Sequence, residues 1–105
     1  MIKAIEGSTY IVHTASPFPI EKPKDEFVLI KPAVEGTLAV MKAALLNKVK
    51  RVVITSSVAA IYKPSNSGQT KFSEKDWTDV RIATAYEKSK TLAESAAWDF
   101  VSNLP

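Results

Sequence analysis

The apolar residues of this chain fall into four stretches divided by polar or proline-bearing sequence. The first is Tyr10 to Thr14, a short β-branched run cut off at once by Ala15, Ser16 and Pro17. Its continuous rather than alternating apolar character predicts a strand buried on both faces, as in a parallel sheet. Pro17, Pro19 and Pro23 then predict a loop. Val34, Leu38, Met41 and Leu45 follow at i, i+4, i+7 and i+11, one face of a helix, and Ala43 and Ala44 favour it by propensity. Pro32 either lies near the start of this helix or kinks a longer one that begins near Phe27, and Asn47 is a suitable terminator. A second strand is predicted from Arg51 to Ser56 around Val52, Val53 and Ile54. A last helix is predicted from about Ile82 to Val101, with Ala85, Ser89, Leu92, Ala96 and Phe100 along one face. The small residues of that face suit close approach to a sheet or to another helix.

Strand, helix and strand in succession make a βαβ unit, which crosses over right-handed and yields a parallel pair. The predicted architecture is α/β, a parallel sheet with helices covering both faces. Between Lys63 and Val80 the pattern breaks into Pro64, Ser65, Asn66, Ser67 and Gly68, then charged residues around Trp77. An excursion of that length tends to be functional or mobile. No internal repeat interrupts the order, and 105 residues suffice for one domain.

Composition narrows the chemistry. With 46% hydrophobic and 24% charged residues the chain is of globular type. There is no cysteine, which excludes disulfides, zinc fingers and thiol nucleophiles. His13 is the only histidine, so no multi-histidine metal site is expected, and at the end of a buried strand it reads as a packed residue. No apolar run approaches the roughly 18 residues that cross a membrane, and Met1 to Gly7 does not read as a secretory signal. A soluble, cytoplasmic protein with no membrane association is expected. The formal charge of +3 invites a nucleic-acid reading, yet its densest cluster, Lys42, Lys48, Lys50 and Arg51, has no interleaved aromatics and reads as a solvated helix end. Glu87 and Glu94 read as solvent-facing, and Trp98 as a core or inter-domain contact. Only three glycines occur, Gly7, Gly36 and Gly68, the closest pair 29 residues apart, so no glycine-rich phosphate loop lies within the chain.

Two constellations remain. The second strand ends in Thr55, Ser56 and Ser57, and ligands of open parallel sheets sit outside the carboxyl ends of the strands. Those hydroxyls either bond a substrate oxygen or cap the strand and start a turn. Tyr86 and Lys90 stand at i and i+4 near the start of the last helix, on one face. A phenol is a poor acid–base group at neutral pH, and an ammonium one turn away favours its charged form. The pair is thus a sensible proton-transfer unit. On spacing alone, a solvated face of Glu87, Lys88 and Lys90 is the other reading.

Taken in order, His-Thr-Ala-Ser-Pro (13–17), Lys-Pro-Ala-Val-Glu-Gly-Thr (31–37), Arg-Val-Val-Ile-Thr-Ser-Ser (51–57), Asp-Trp (76–77) and Tyr-Glu-Lys-Ser-Lys-Thr-Leu-Ala-Glu (86–94) resemble the extended short-chain dehydrogenase/reductase superfamily. Within it the likeness is greatest to the dihydroflavonol reductase and cinnamoyl-CoA reductase group, and it covers nearly the whole chain. The resemblance implies a Rossmann-like fold and an NAD(P)-dependent oxidoreductase, NADP being favoured, that transfers hydride between the nicotinamide and a small-molecule alcohol or carbonyl. It implies that Tyr86 is the catalytic tyrosine, that Lys90 holds the nicotinamide ribose, and that Ser57 polarises the substrate oxygen, with Ser56 in that role if the register is off by one. It also implies that Ala15, Ser16 and Pro17, with Thr55, Tyr86 and Lys90, lie along the cofactor. Sugar-nucleotide epimerases usually carry asparagine where this chain has Ala33, which favours a reductase over an epimerase or dehydratase. The family's Gly-x-x-Gly-x-x-Gly turn and its C-terminal substrate region have no counterpart here. The expectation is therefore a central part of a larger fold, residues 1–105 forming an incomplete NAD(P)-binding domain with 63–80 on the substrate side. An inactive fragment that acts by binding a partner is the alternative.

Overall fold

The computed structural model describes residues 2–15, 24–62, 68 and 70–104. Along them run α1 (Ile2–Ile5), β1 (Tyr10–His13), α2 (Phe27–Leu46), β2 (Arg51–Ile54), a 3-10 turn (Val58–Ala60) and α3 (Ala85–Ser102). β1 and β2 pair in parallel, from Tyr10 opposite Arg51 to His13 opposite Ile54, with α2 as the crossover. This is the predicted βαβ unit. The Lys50 amide donates to the Thr9 carbonyl and the Thr55 amide to the His13 carbonyl, each at 2.9 Å, so the ladder continues just beyond both ends of the strands.

Of the two readings of Pro32, the longer helix is the one observed: α2 spans 20 residues and contains the proline. The missing amide would have served the Val28 carbonyl, and Val28 and Pro32 are both exposed, so water can serve that carbonyl instead. Asn47 caps the far end as predicted. Its Nδ2 donates to the Ala43 carbonyl at 2.9 Å and to the Ile2 carbonyl at 3.0 Å, tying α1 to the end of α2.

The buried face of α2 is turned from the one read off the large apolar residues. Ile30, Ala33, Thr37, Val40 and Ala44 are buried, as is Met41, while Leu45 is exposed and Val34 and Leu38 are half-buried. The reason is α3, against which α2 mainly packs. In α3 the buried small residues are Ser89, Ala93 and Ala97, a stripe at i, i+4 and i+8. Small side chains on both helices let the backbones come close, so contact follows the alanines rather than the leucines. A second cluster joins Ile5, Val40 and Ala43 to Ile11, Val49 and Val52 beneath the sheet.

Two-faced burial of the strands is not what the described residues show. Ile11, His13, Val52 and Ile54 turn toward the helices, whereas Tyr10, Val12 and Val53 are 66%, 67% and 53% exposed. Val52 meets α2, and Val52 and Ile54 line a groove with Ala97 and Trp98 of α3, so both long helices cover the same face. Continuous apolar sequence in a strand marks two faces that avoid water; among the described residues only one has found its cover.

Candidate functional site

The carboxyl ends of β1 and β2 carry His13 and Ala15 on one strand and Thr55, Ser56 and Ser57 on the other. Thr55 is exposed, and Ser56 and Ser57 are half-buried. Ser57 has extended backbone, φ −157° and ψ 152°, and its Oγ accepts the Ala59 amide at 3.1 Å, which caps the 3-10 turn. Capping uses one acceptor site of the hydroxyl and leaves its proton available to donate. The turn-starting reading and the substrate-oxygen reading are thus compatible at Ser57. Ser56 differs: its Oγ is buried and has no hydrogen-bond partner among the described residues, and Ser56 lines a groove of about 290 Å³ with Glu94 and Trp98.

α3 brings the remaining candidates. It begins at Ala85, three residues later than predicted, because Thr84 stops the helix from starting sooner. Thr84 has extended backbone, its Oγ1 accepts the Glu87 amide at 3.3 Å, and Glu87 Oε1 accepts the Thr84 amide at 2.7 Å, a reciprocal capping box. Tyr86 therefore lies in the first turn, half-buried, and Lys90 one turn on. The Lys90 side chain reaches the sheet, where Nζ donates to the Thr55 carbonyl at 3.0 Å. The structure thus brings Lys90, Thr55, Ala15 and Ser56 around one small cavity of about 10 Å³, which His13 and Thr37 also line. Ser16 and Pro17 lie outside the described residues.

Burial holds the Lys90 ammonium below the usual lysine range, and the carboxylate of Glu94 opposes that shift. His13, its Nε2 at 3.5 Å from Thr37 Oγ1, is held below the usual histidine value, first by burial and then by the positive charge of Lys90. It is a packed residue, as expected, and it lines the same small cavity as Lys90.

Two glutamates depart from expectation. Glu87 is only 3% exposed, and besides its capping bond its Oε2 accepts the Tyr62 hydroxyl. Glu94 is half-buried and accepts the Trp98 indole N–H at 3.1 Å, while Trp98 itself is 60% exposed and no part of the core. Tyr62 and Glu87 were missed as site neighbours, although Thr-x-x-Glu at 84–87 carries a capping signature that places the carboxylate inward. From the 63–80 excursion, Thr78 is buried on the 3-10 turn: its Oγ1 donates to the Ala59 carbonyl and its amide to the Ala60 carbonyl, both at 2.7 Å. Among the described residues no helix is long and apolar enough to cross a membrane.

Comparison with known proteins fits this geometry. An anthocyanidin reductase of Vitis vinifera, the (2S)-flavan-3-ol-forming enzyme, is 43% identical over 91% of this chain and 31% of its own length. A dihydroflavonol 4-reductase of Arabidopsis thaliana is 38% identical over 92% of this chain and 27% of its own. Among solved structures, the yeast methylglyoxal/isovaleraldehyde reductase Gre2 complexed with NADPH superposes with a TM-score of 0.79 at 32% identity, covering 95% of this chain and 33% of that one. Gre2 of Candida albicans, also with NADPH, gives 0.80 at 34% identity over 99% of this chain and 34% of that one. The chain thus spans about a third of the length of the relatives it matches. Residues 1–100 match the pattern of one family across nearly the whole sequence, and the chain belongs to the 3-beta hydroxysteroid dehydrogenase/isomerase family.

Proposed function

We propose that this chain carries the catalytic side of an NAD(P)-dependent reductase that interconverts a small-molecule carbonyl and alcohol. The observation that carries the reading is the bond from Lys90 Nζ to the Thr55 carbonyl, which joins the helix of Tyr86 to the strand end that bears Thr55, Ser56 and Ser57. Ligands of open parallel sheets bind at that edge. The Lys90 ammonium and the hydroxyl of the exposed Thr55 are donors suited to the ribose on the nicotinamide side of the cofactor, and the short side chain of Ala15 leaves room for it. The pyrophosphate half has no counterpart, since the three glycines stand far apart. NADPH is favoured over NADH because two relatives of known structure are NADPH complexes.

When bound, the cofactor supplies or accepts the hydride. Tyr86 gives its phenolic proton to the substrate oxygen as the carbonyl becomes an alcohol, and takes it back in the reverse direction. Ser57 donates a hydrogen bond to the same oxygen and stabilises the charge that develops there. Lys90 holds the ribose hydroxyls and keeps a positive charge one helical turn from Tyr86. Ala15, Ser16, Pro17 and Thr55 line the cofactor in this reading. Residues 1–105 form one part of a Rossmann-like NAD(P)-binding domain, with 63–80 on the substrate side. The docking of Thr78 beside Ser57 supports that assignment. A cytoplasmic location belongs to the same reading and is checked by imaging the tagged protein.

The test uses the full-length protein with NADPH and a panel of methylglyoxal, isovaleraldehyde and a dihydroflavonol, following NADPH fluorescence. One or more of the three is expected to be reduced, and Tyr86→Phe should lower kcat by about 100-fold or more. Full activity in Tyr86→Phe overturns the assignment.

A further inference from the structure

Glu87 is a buried carboxylate that the reaction above does not use. It sits between two segments that each present a catalytic candidate. On one side is the turn that follows Ser57: Ser57 caps it, Ala59 and Ala60 are buried in it, and Tyr62 comes just after it. On the other is the first turn of α3, which carries Tyr86 and is started by Thr84. The two oxygens of Glu87 are divided between them, Oε1 taking the Thr84 amide at 2.7 Å and Oε2 the Tyr62 hydroxyl. A glutamate used only as a helix cap needs one of these bonds and can stay in water. Glu87 is 3% exposed and makes both. Burying a carboxylate is costly unless donors compensate it, so the arrangement favours one fixed geometry over neighbouring ones.

We propose that Glu87 is a positioning residue that sets the separation of Ser57 and Tyr86, acting through Tyr62 and Thr84 as a clamp between the Ser57 turn and the head of α3. The inference rests on the reductase reading given above. Thr78 closes the other side of the same turn through the Ala59 and Ala60 carbonyls, so the Ser57 segment is held from two directions. Lys90 is anchored separately, through Thr55, so the clamp bears on the reacting oxygen and not on the ribose. Loss of the clamp should accordingly act on the chemical step and spare the affinity for cofactor.

The experiment compares Tyr62→Phe, Glu87→Gln, the double variant and Tyr86→Phe in the full-length protein, with NADPH and whichever carbonyl of the panel it reduces. Tyr62→Phe removes a single oxygen atom and keeps the ring, so it stands should Glu87→Gln fold poorly. Each single variant is expected to lower kcat by about 10-fold or more, because small misplacements of reacting groups are costly. KM for NADPH should stay within about twofold of the parent value, since the ribose contacts are untouched. The double variant should be no worse than the weaker single one, because both remove the same link. Unchanged kcat in Tyr62→Phe, a change confined to the KM for NADPH, or multiplicative losses in the double variant overturn the clamp. Those outcomes with Tyr86→Phe inactive remove the clamp alone, whereas an active Tyr86→Phe removes the reductase reading beneath it.

Discussion

Burying an ammonium costs free energy, and Lys90 recovers part of it through the Thr55 carbonyl at 3.0 Å and the attraction of Glu94. His13 bears some of the remainder. Its imidazole is buried, and a second positive charge beside Lys90 is disfavoured, so its folded value falls below the ordinary 6.5. The sign for stability follows. Between the depressed folded value and 6.5 the unfolded chain binds more protons, so stability rises with pH. The contribution of neutral His13 is fully present above 6.5 and is lost as pH falls through the folded value. Urea midpoints at about pH 7.5 and about pH 5 should therefore differ, and His13→Gln should flatten that difference. An unchanged slope in His13→Gln would place the acid sensitivity elsewhere. At this scale Ser57, Tyr86 and Lys90 stand out in the sequence because residue type, order and spacing point the same way, and the structure puts Lys90 on the strand end that leads to Ser57, while their roles are the proposal tested by Tyr86→Phe. Glu87 does not, since a glutamate in the charged run with Lys88 and Lys90 has the composition of a solvated face, and only its offset of three from Thr84 marks it as a cap.

Elements were legible where period and punctuation agree. β1, β2 and the end of α2 at Asn47 fall where the β-branched runs and the terminator put them. The burial of α2 and α3 is less legible, because the two helices pack on each other and their buried positions include the small Ala33, Thr37 and Ala44 on one and Ser89, Ala93 and Ala97 on the other, and small residues carry little weight in an apolar pattern. Apolar content points to a start of α3 near Ile82, but helix starts are decided by orphan amides and Thr84 supplies the acceptor, so the helix begins at Ala85. Thr84→Ala should cost about 1 kcal/mol of stability, while Thr84→Ser, which keeps the oxygen, should cost a few tenths. Chemical denaturation of the two variants at one pH measures the difference. Equal losses would mean that the threonine methyl, and not its hydroxyl, starts the helix.

For the whole molecule, the sequence pattern described a sheet covered on both sides, and the described residues cover one. The uncovered face carries Tyr10, Val12 and Val53, with Val12 opposite Val53 in the parallel register and the exposed Arg51 opposite Tyr10 at one end. Side chains at alternate positions of a strand share a face, so Tyr10 and Val12 point the same way and Val53 joins them from the adjacent strand. An exposed apolar patch of this kind on a freely diffusing chain favours association, and the strand edges that no other described strand pairs add backbone donors and acceptors. The 105-residue chain on its own should therefore associate in a concentration-dependent way. Val12→Lys and Val53→Lys should each raise the monomer fraction, because a cation on that face opposes apolar contact and the inner face of the sheet is unaltered. Sedimentation velocity over a range of concentrations measures this, with Lys42→Glu on the exposed side of α2 as a control that changes charge away from the sheet. If the control raises the monomer fraction as much as the two sheet variants, net charge and not the open face governs association. If only the sheet variants do, the face that the β-branched sequence marked for burial is the one that drives it.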